Sequence, residues 1–514
     1  MVRSRILVRI GILVVAVAAL ALFACGGGES DSDDAPTATT TGSRGCTPTA
    51  TASLGADWAY PNYDAAGSRA TFTSSISAAN VNELAEAWRY ELPGGGAFGS
   101  AATTPVIVGG VIYLGDLFTN VHAIDLASGG RRWFVDVGVN VFGPSGVAVH
   151  GGCVYANRAG REIAAYERAS GQRIWTTDIL AAGGQVNIQP TVADGVVLAA
   201  TSSLAQPGAR GTLFGLDAAT GEILWSFDTI ESDDLWGHPQ INSGGGSWQT
   251  PSVDLEAGVT YWGISNAYPY PGISGFPNGT SRPGDNRWTA SILAIDTASG
   301  ELRWGHQAVP HDLFDRDMIL AGVATLDGGR KVVISTGKAA RVIGLDPDGT
   351  VLWDTPVGKH QNDDVESFEG ELEVLPGIAG GVVTPLAIAE GVVFVSVVNA
   401  PVTYAGPEDS SGGAVRIGTF PSQLVAIDAA SGEIVWDVAL PGDGFGGATV
   451  VNDLVFTSVI SGQILAFDRA TGEHVWSYRA PGGINGSPAF VDDMLVIPVG
   501  FGDPPVLLAL QLSR

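Results

Sequence analysis

Seven times along the chain an apolar strand ends in an acid, turns through a glycine and returns with a tryptophan. The segments are Ala123-Ile124-Asp125 to Trp133, Tyr166-Glu167 to Trp175, Leu216-Asp217 to Trp225 and Ile295-Asp296 to Trp304. Leu345-Asp346 to Trp353, Ile427-Asp428 to Trp436 and Phe467-Asp468 to Trp476 complete the set. The acid stands eight residues before the tryptophan in six of them and seven in the fifth, a register too strict for chance. Each unit is a hairpin: the acid accepts from turn amides, glycine takes the positive φ, and the returning strand delivers a large ring to a fixed place.

Upstream of most units lies a second apolar hairpin, as in Val106-Ile107-Val108, Gly109-Gly110, Val111-Ile112-Tyr113. Leu386 to Phe394 and Ala489 to Ile497 repeat it. Two hairpins make a four-stranded blade, and blades repeated radially make a propeller. The chain ends supply the eighth. Leu507-Leu508-Ala509-Leu510 is the acid-side strand without its tryptophan, and Leu84-Ala85-Glu86-Ala87-Trp88 is the tryptophan strand without its predecessor. The expected fold is all-β: an eight-bladed propeller with tryptophan-docking repeats over residues 57–514, its sheet edges closed by pairing the two ends. Successive tryptophans lie 45, 42, 50, 79, 49, 83 and 40 residues apart, so insertions are expected near Asp228–Trp288 and Asp354–Gln423. Such insertions extend loops over one face, where sites are built.

The N-terminus reads as an export signal over residues 1–24. A basic stretch ending at Arg9 precedes fifteen apolar or glycine residues, Ile10–Ala24, too short to span a bilayer. Residues 25–56 are rich in Gly, Ser, Thr, Asp and Ala, the composition of a linker that buries no core. The formal charge is −27, and near −30 without the leader, which holds three arginines and no acid. Such a surface repels nucleic acid and anionic headgroups. Cys46 and Cys153 are either a disulfide, which an exported protein permits, or two free thiols. No Cys-x-x-Cys-His is present to attach a haem.

Leu22-Phe23-Ala24-Cys25 resembles the lipobox of bacterial lipoproteins. That likeness implies lipid on Cys25 and an envelope protein held to a membrane by this anchor alone, on the periplasmic side or at the cell surface. The repeat and four local segments resemble the quinoprotein alcohol dehydrogenases, eight-bladed propellers that bind pyrroloquinoline quinone (PQQ). In Trp248-Gln249-Thr250-Pro251-Ser252-Val253-Asp254 the resemblance makes Trp248 the plate beneath the quinone. In Tyr261-Trp262-Gly263-Ile264-Ser265-Asn266-Ala267 it makes Asn266 a metal ligand. In Val309-Pro310-His311-Asp312-Leu313-Phe314-Asp315-Arg316-Asp317 it makes Asp315 the general base beside the metal, and Asp317 the extra carboxylate found in lanthanide-using members. In Ser335-Thr336-Gly337-Lys338 it sets Lys338 on the quinone oxygens.

There are departures. Gln206 stands where the family carries a metal-binding Glu, which keeps an oxygen and loses a charge. The vicinal cysteine pair that covers the quinone is missing from Asn140–Val147, and Gly380-Gly381 is followed by Val382 rather than Asn-Trp. The resemblance implies PQQ with calcium or a lanthanide, a small or polymeric alcohol as substrate, and a separate electron acceptor such as a cytochrome c. The competing expectation is a cofactor-free propeller lipoprotein that scaffolds other envelope proteins, which shares the repeat.

Overall fold

The computed structural model describes Cys46 and residues 57–180, 184–410 and 417–513. Among these, four-stranded antiparallel sheets follow one another along the chain as eight blades, one of them extended by a fifth strand, Ala70–Thr71. In the first blade the strands run from the axis outward as A, Val106–Val108; B, Val111–Gly115; C, Val121–Asp125; and D, Arg131–Val135. Strands A to C are buried on both faces and read as continuous apolar runs, as strands between stacked sheets do. The outer strands are the exposed ones; Ile434–Leu440 alternates near its end.

The eighth blade joins the two ends of the chain as expected. Its A to C strands are Ala489–Val491, Met494–Val499 and Val506–Leu512, and its outer strand is Leu84–Glu91, paired from Leu84 with Leu512 to Glu91 with Val506. The repeat chemistry also takes its expected form. Asp217 Oδ1 accepts from Ala219 N at 3.0 Å and Thr220 N at 2.8 Å. Asp296, Asp428 and Asp468 cap their turns in the same way. Each of seven tryptophans then donates its indole N–H to the carbonyl just after the next blade's acid. Examples are Trp88 to Leu126 O, Trp225 to Thr297 O and Trp436 to Arg469 O. The Trp225 ring is gripped by two glycines: a β-carbon on Gly300 of the next blade, at φ +75°, would stand 2.6 Å from it. Glycine serves there because of both the positive φ and the close approach.

Residues 57–71 are not a blade but a thread across the axial channel. Trp58 pairs with Ile107 of the first blade. Ala65 O, Ala66 O, Ser68 O and Arg69 O then accept from Val253, Val323, Ile388 and Val450, on the A strands of blades four to seven. Cys46 is disulfide-bonded to Cys153, at the A–B turn of the second blade, which selects one of the two readings left open for this pair. The long tryptophan intervals each hold two insertions rather than one. Blade four's A and B strands, Ser252–Asp254 and Val259–Gly263, separate a D–A loop (229–251) from a B–C loop (264–290). Blade six divides its interval in the same way. All four loops lie on one face, because D–A and B–C connections leave a blade on the same side. Cys25 and the proposed signal and linker lie outside the described residues, save Cys46.

Candidate active site

Asp315 and Asp317 sit in the D–A loop between blades four and five. Asp312 shapes that loop: its carboxylate accepts from Phe314 N at 2.8 Å and Arg316 N at 2.6 Å, a turn closed by a side chain. Asp315 lies at φ +63°, a left-handed conformation that Asp tolerates better than most residues. The insertions buttress the loop. Fully buried Arg282 binds Asp312 O, Pro269 O and Asn286 Oδ1, and Arg316 Nη1 donates to Pro376 O.

The turn between strands B and C of blade five brings Lys338 to the same point. Its backbone N–H donates to Asp317 O at 2.8 Å. A β-carbon on Gly337 would overlap that carbonyl oxygen, so only glycine lets the two loops close. Lys338 Nζ bridges the carboxylates, 2.8 Å from Asp315 Oδ2 and 2.9 Å from Asp317 Oδ2. It also stands 5.9 Å from the centre of the half-buried Trp248 ring. Asn266 N donates to Asp317 Oδ1 at 2.7 Å, and its side-chain amide nitrogen is turned to Ala267 O.

Five of the six residues assigned to the site from the sequence thus converge: Trp248, Asn266, Asp315, Asp317 and Lys338. Gln206 takes a different place. It is exposed, and its Oε1 accepts from Gly184 N rather than meeting the carboxylate pair. Two tyrosines were not foreseen. Burial, then the Asp315 carboxylate, pushes the phenols of Tyr270 and Tyr404 well above their usual range, and Tyr270 also hydrogen-bonds Asp315. Tyr270 comes four residues after Asn266, in a Tyr-Pro-Tyr-Pro run that was the available signal. Phe314, Phe368 and Tyr404 form an aromatic wall beside them, with ring centres 5.7–6.4 Å apart.

Burial pushes the Asp315 carboxyl up to about 8. Asp317 adds to the rise and the Lys338 ammonium opposes it. Burial pulls Lys338 down, but the two carboxylates outweigh it and hold the amine above the ordinary lysine range. The cluster therefore keeps a proton near a cation in a dry setting, where electrostatic effects are large.

These groups suit a hard cation and a flat ring. The donors are oxygens of Asp315, Asp317 and the Asn266 amide, and Trp248 offers an aromatic face. Among the described residues no three His, Cys, Asp or Glu side chains gather, so a cation here would need the amide and the cofactor as well. Tyr404 Oη and Arg316 Nη2, on the same wall, are buried without a hydrogen-bond partner, as where a further group completes a site.

Comparison with known proteins finds similar chains and folds. The family described as glucose/ethanol/alcohol dehydrogenase, beta-propeller domain, matches residues 181–355, which contain all five convergent residues. The quinohemoprotein alcohol dehydrogenase of Comamonas testosteroni is 29% identical over 316 residues, 55% of this chain and 44% of that one. Its crystal structure superimposes with a TM-score of 0.78 at 22% identity, covering 89% of this chain and 81% of that one. The chain is a β-propeller similar to those of the PQQ alcohol dehydrogenases. The 1-butanol dehydrogenase (cytochrome c) of Thauera butanivorans is 27% identical to this propeller, over 55% of this chain and 45% of that one. A europium-containing methanol dehydrogenase shares the fold, with a TM-score of 0.73 at 18% identity, covering 89% of this chain and 98% of that one. The chain spans about half the length of the curated relatives it matches. A second family, described as outer membrane protein assembly factor BamB, matches residues 118–240 and 421–500, which are repeat and not site.

Proposed function

We propose that this protein oxidises an alcohol or polyol with PQQ and passes the electrons to a separate acceptor. One observation carries the reading: Asp315, Asp317, Lys338 and Trp248, drawn from three loops, meet on one face of the ring. A propeller used only for binding has no reason to bury two acids against one ammonium beside an aromatic plate. Asp315 and Asp317 would hold the metal with Asn266, Trp248 would carry the quinone, and Lys338 would face its oxygens. Bound there, PQQ supplies the acceptor for the hydride that the alcohol carbon loses, and calcium or a lanthanide supplies a Lewis acid.

The chain's own work is proton management. Asp315 takes the hydroxyl proton as the carbonyl forms, once a bound metal and the adjacent Lys338 ammonium hold its carboxylate ionised. Lys338 offsets negative charge that develops beside it. The wall of Phe314, Phe368 and Tyr404 restricts water on that side. By analogy with the 1-butanol dehydrogenase (cytochrome c) and the methanol dehydrogenase (cytochrome c) subunit it resembles, the acceptor would be a cytochrome c and the substrate a short alcohol. Cys25 would hold the protein at the outer face of a membrane through lipid.

Reconstitution tests the reading. Added PQQ with calcium or a lanthanide should bind and support dye reduction by alcohols. Asp315→Asn should retain quinone absorbance and lose turnover by at least about a hundredfold. No bound quinone with any of these metals would remove the proposal. The second reading, an envelope scaffold, is favoured by the match to the assembly factor over repeat segments. It predicts a propeller that captures partner proteins equally well with and without Asp315.

A further inference from the structure

Four basic side chains lie wholly or mostly out of solvent: Arg69, Arg282, Arg316 and Lys338. Three of them have acids at hand. Lys338 lies between Asp315 and Asp317, and Arg282 and Arg316 both feel Asp312. Arg69 has none. Its guanidinium is 0% exposed, and every hydrogen bond it makes ends on a neutral oxygen. Nε donates to Ala448 O, Nη1 to Thr104 Oγ1, Asn62 Oδ1 and Pro61 O, and Nη2 to Thr449 Oγ1 and Pro488 O. The Trp58 ring lies 5.6 Å away. Burial alone pushes the group down, to about 9, so it stays charged at neutral pH.

A buried charge that is hydrogen-bonded but not neutralised projects a field that salt screens poorly. Its place in the fold says where that field acts. Thr104, Thr449 and Pro488 stand at the site-facing ends of the A strands of blades one, seven and eight. From Thr104 the layer continues sideways: Gln189 Nε2 donates to Thr104 O, and Thr250 Oγ1 donates to Gln189 O. Thr250 is two residues beyond Trp248. Arg69 is therefore tied into the ring of residues that carries the aromatic plate.

We propose that Arg69 is a positioning residue for cofactor binding: a fixed, unneutralised positive charge in the channel floor that offsets the carboxylates of the quinone within an acidic protein. The inference rests on the PQQ reading above and deepens it. PQQ is a polycarboxylate, and the chain carries a formal charge of −27. The cluster of Asp315, Asp317 and Lys338 brings no net positive charge to the centre. Lys338 is already committed to two acids, which leaves Arg69 as the uncommitted cation.

Two variants separate charge from architecture. Asn62→Asp keeps Arg69 and its contacts but sets a carboxylate on Nη1; Arg69→Met removes the charge. Affinity for PQQ and for its neutral trimethyl ester, read by tryptophan quenching with calcium present, is the measurement. Both variants should bind PQQ at least about tenfold more weakly, about 1.4 kcal/mol. Both should bind the ester as the unaltered chain does. Arg69→Lys should recover most of the loss. Thermal unfolding should show Asn62→Asp as stable as the unaltered protein. Equal losses for acid and ester, or no loss in Asn62→Asp, would assign Arg69 to architecture and overturn the proposal. An unaltered chain that binds the ester and not the acid would overturn it too. Binding of neither would instead remove the PQQ reading on which it rests.

Discussion

Asp315 illustrates how a single residue's setting becomes a measurable pH dependence. Its carboxyl is raised to about 8, so at pH 7 the cofactor-free cluster holds a proton that a metal must expel. Affinity for calcium or a lanthanide should then fall by about tenfold for each pH unit below 8 and level off above it. Titration calorimetry in buffers of different ionisation heat would detect the released proton. A pH-independent affinity would take Asp315 out of the metal site. The sign for stability follows from the same shift. A carboxyl raised above its unfolded value stabilises the fold fully below the unfolded value, and that contribution is lost as pH rises through about 8. The metal-free protein should therefore melt at a lower temperature at pH 9 than at pH 7. At this scale the sequence was legible where chemistry is local: Trp248, Asp315 and Lys338 sit in recognisable segments. Arg69 was not, since its partner Ala448 is 379 residues away. Gln206 was placed by alignment of a loop whose own hydrogen bonds send the side chain elsewhere.

At the level of the blade, the docking tryptophan links neighbouring sheets. Trp225 is 7% exposed, lies against Gly215 of its own blade and Gly300 of the next, and donates to Thr297 O. Trp225→Ala should cost about 3–5 kcal/mol in denaturant unfolding, from lost burial and the cavity left behind. Gly300→Ala should cost about 1–3 kcal/mol, because its β-carbon meets the ring at a positive φ. Losses below about 0.5 kcal/mol in both would show that the ring is not wedged between blades. The seven-residue register of the fifth repeat has a structural counterpart. Asp346 caps a tighter turn through Asp348 N and Thr350 N, and Trp304 still reaches the next carbonyl, Pro347 O. The insertions were visible only as long intervals. Their division into D–A and B–C loops was hidden, because the strands of blades four and six that separate them lie outside the acid-to-tryptophan register that marks the repeat.

Across the whole molecule, closure depends on contacts between the ends of the chain. The Cys46–Cys153 disulfide closes a span of 107 residues and holds the chain ahead of the axial thread to blade two. Reduction should lower stability by about 4–5 kcal/mol on a chain-entropy view, read as a shift in the denaturant midpoint. An unchanged midpoint would show that residues 57–71 hold their place without it. Periodicity alone determined the ring of blades, their number and the pairing of the ends, since a hairpin repeated in one register buries its faces only against copies of itself. The tertiary structure decided which side chains meet. Strand A points every D–A loop at one axis, so residues from separate blades become neighbours, and a thread from the N-terminus sets a buried charge among them. A sequence reports spacing along the chain, whereas burial and electrostatic fields depend on distance through space.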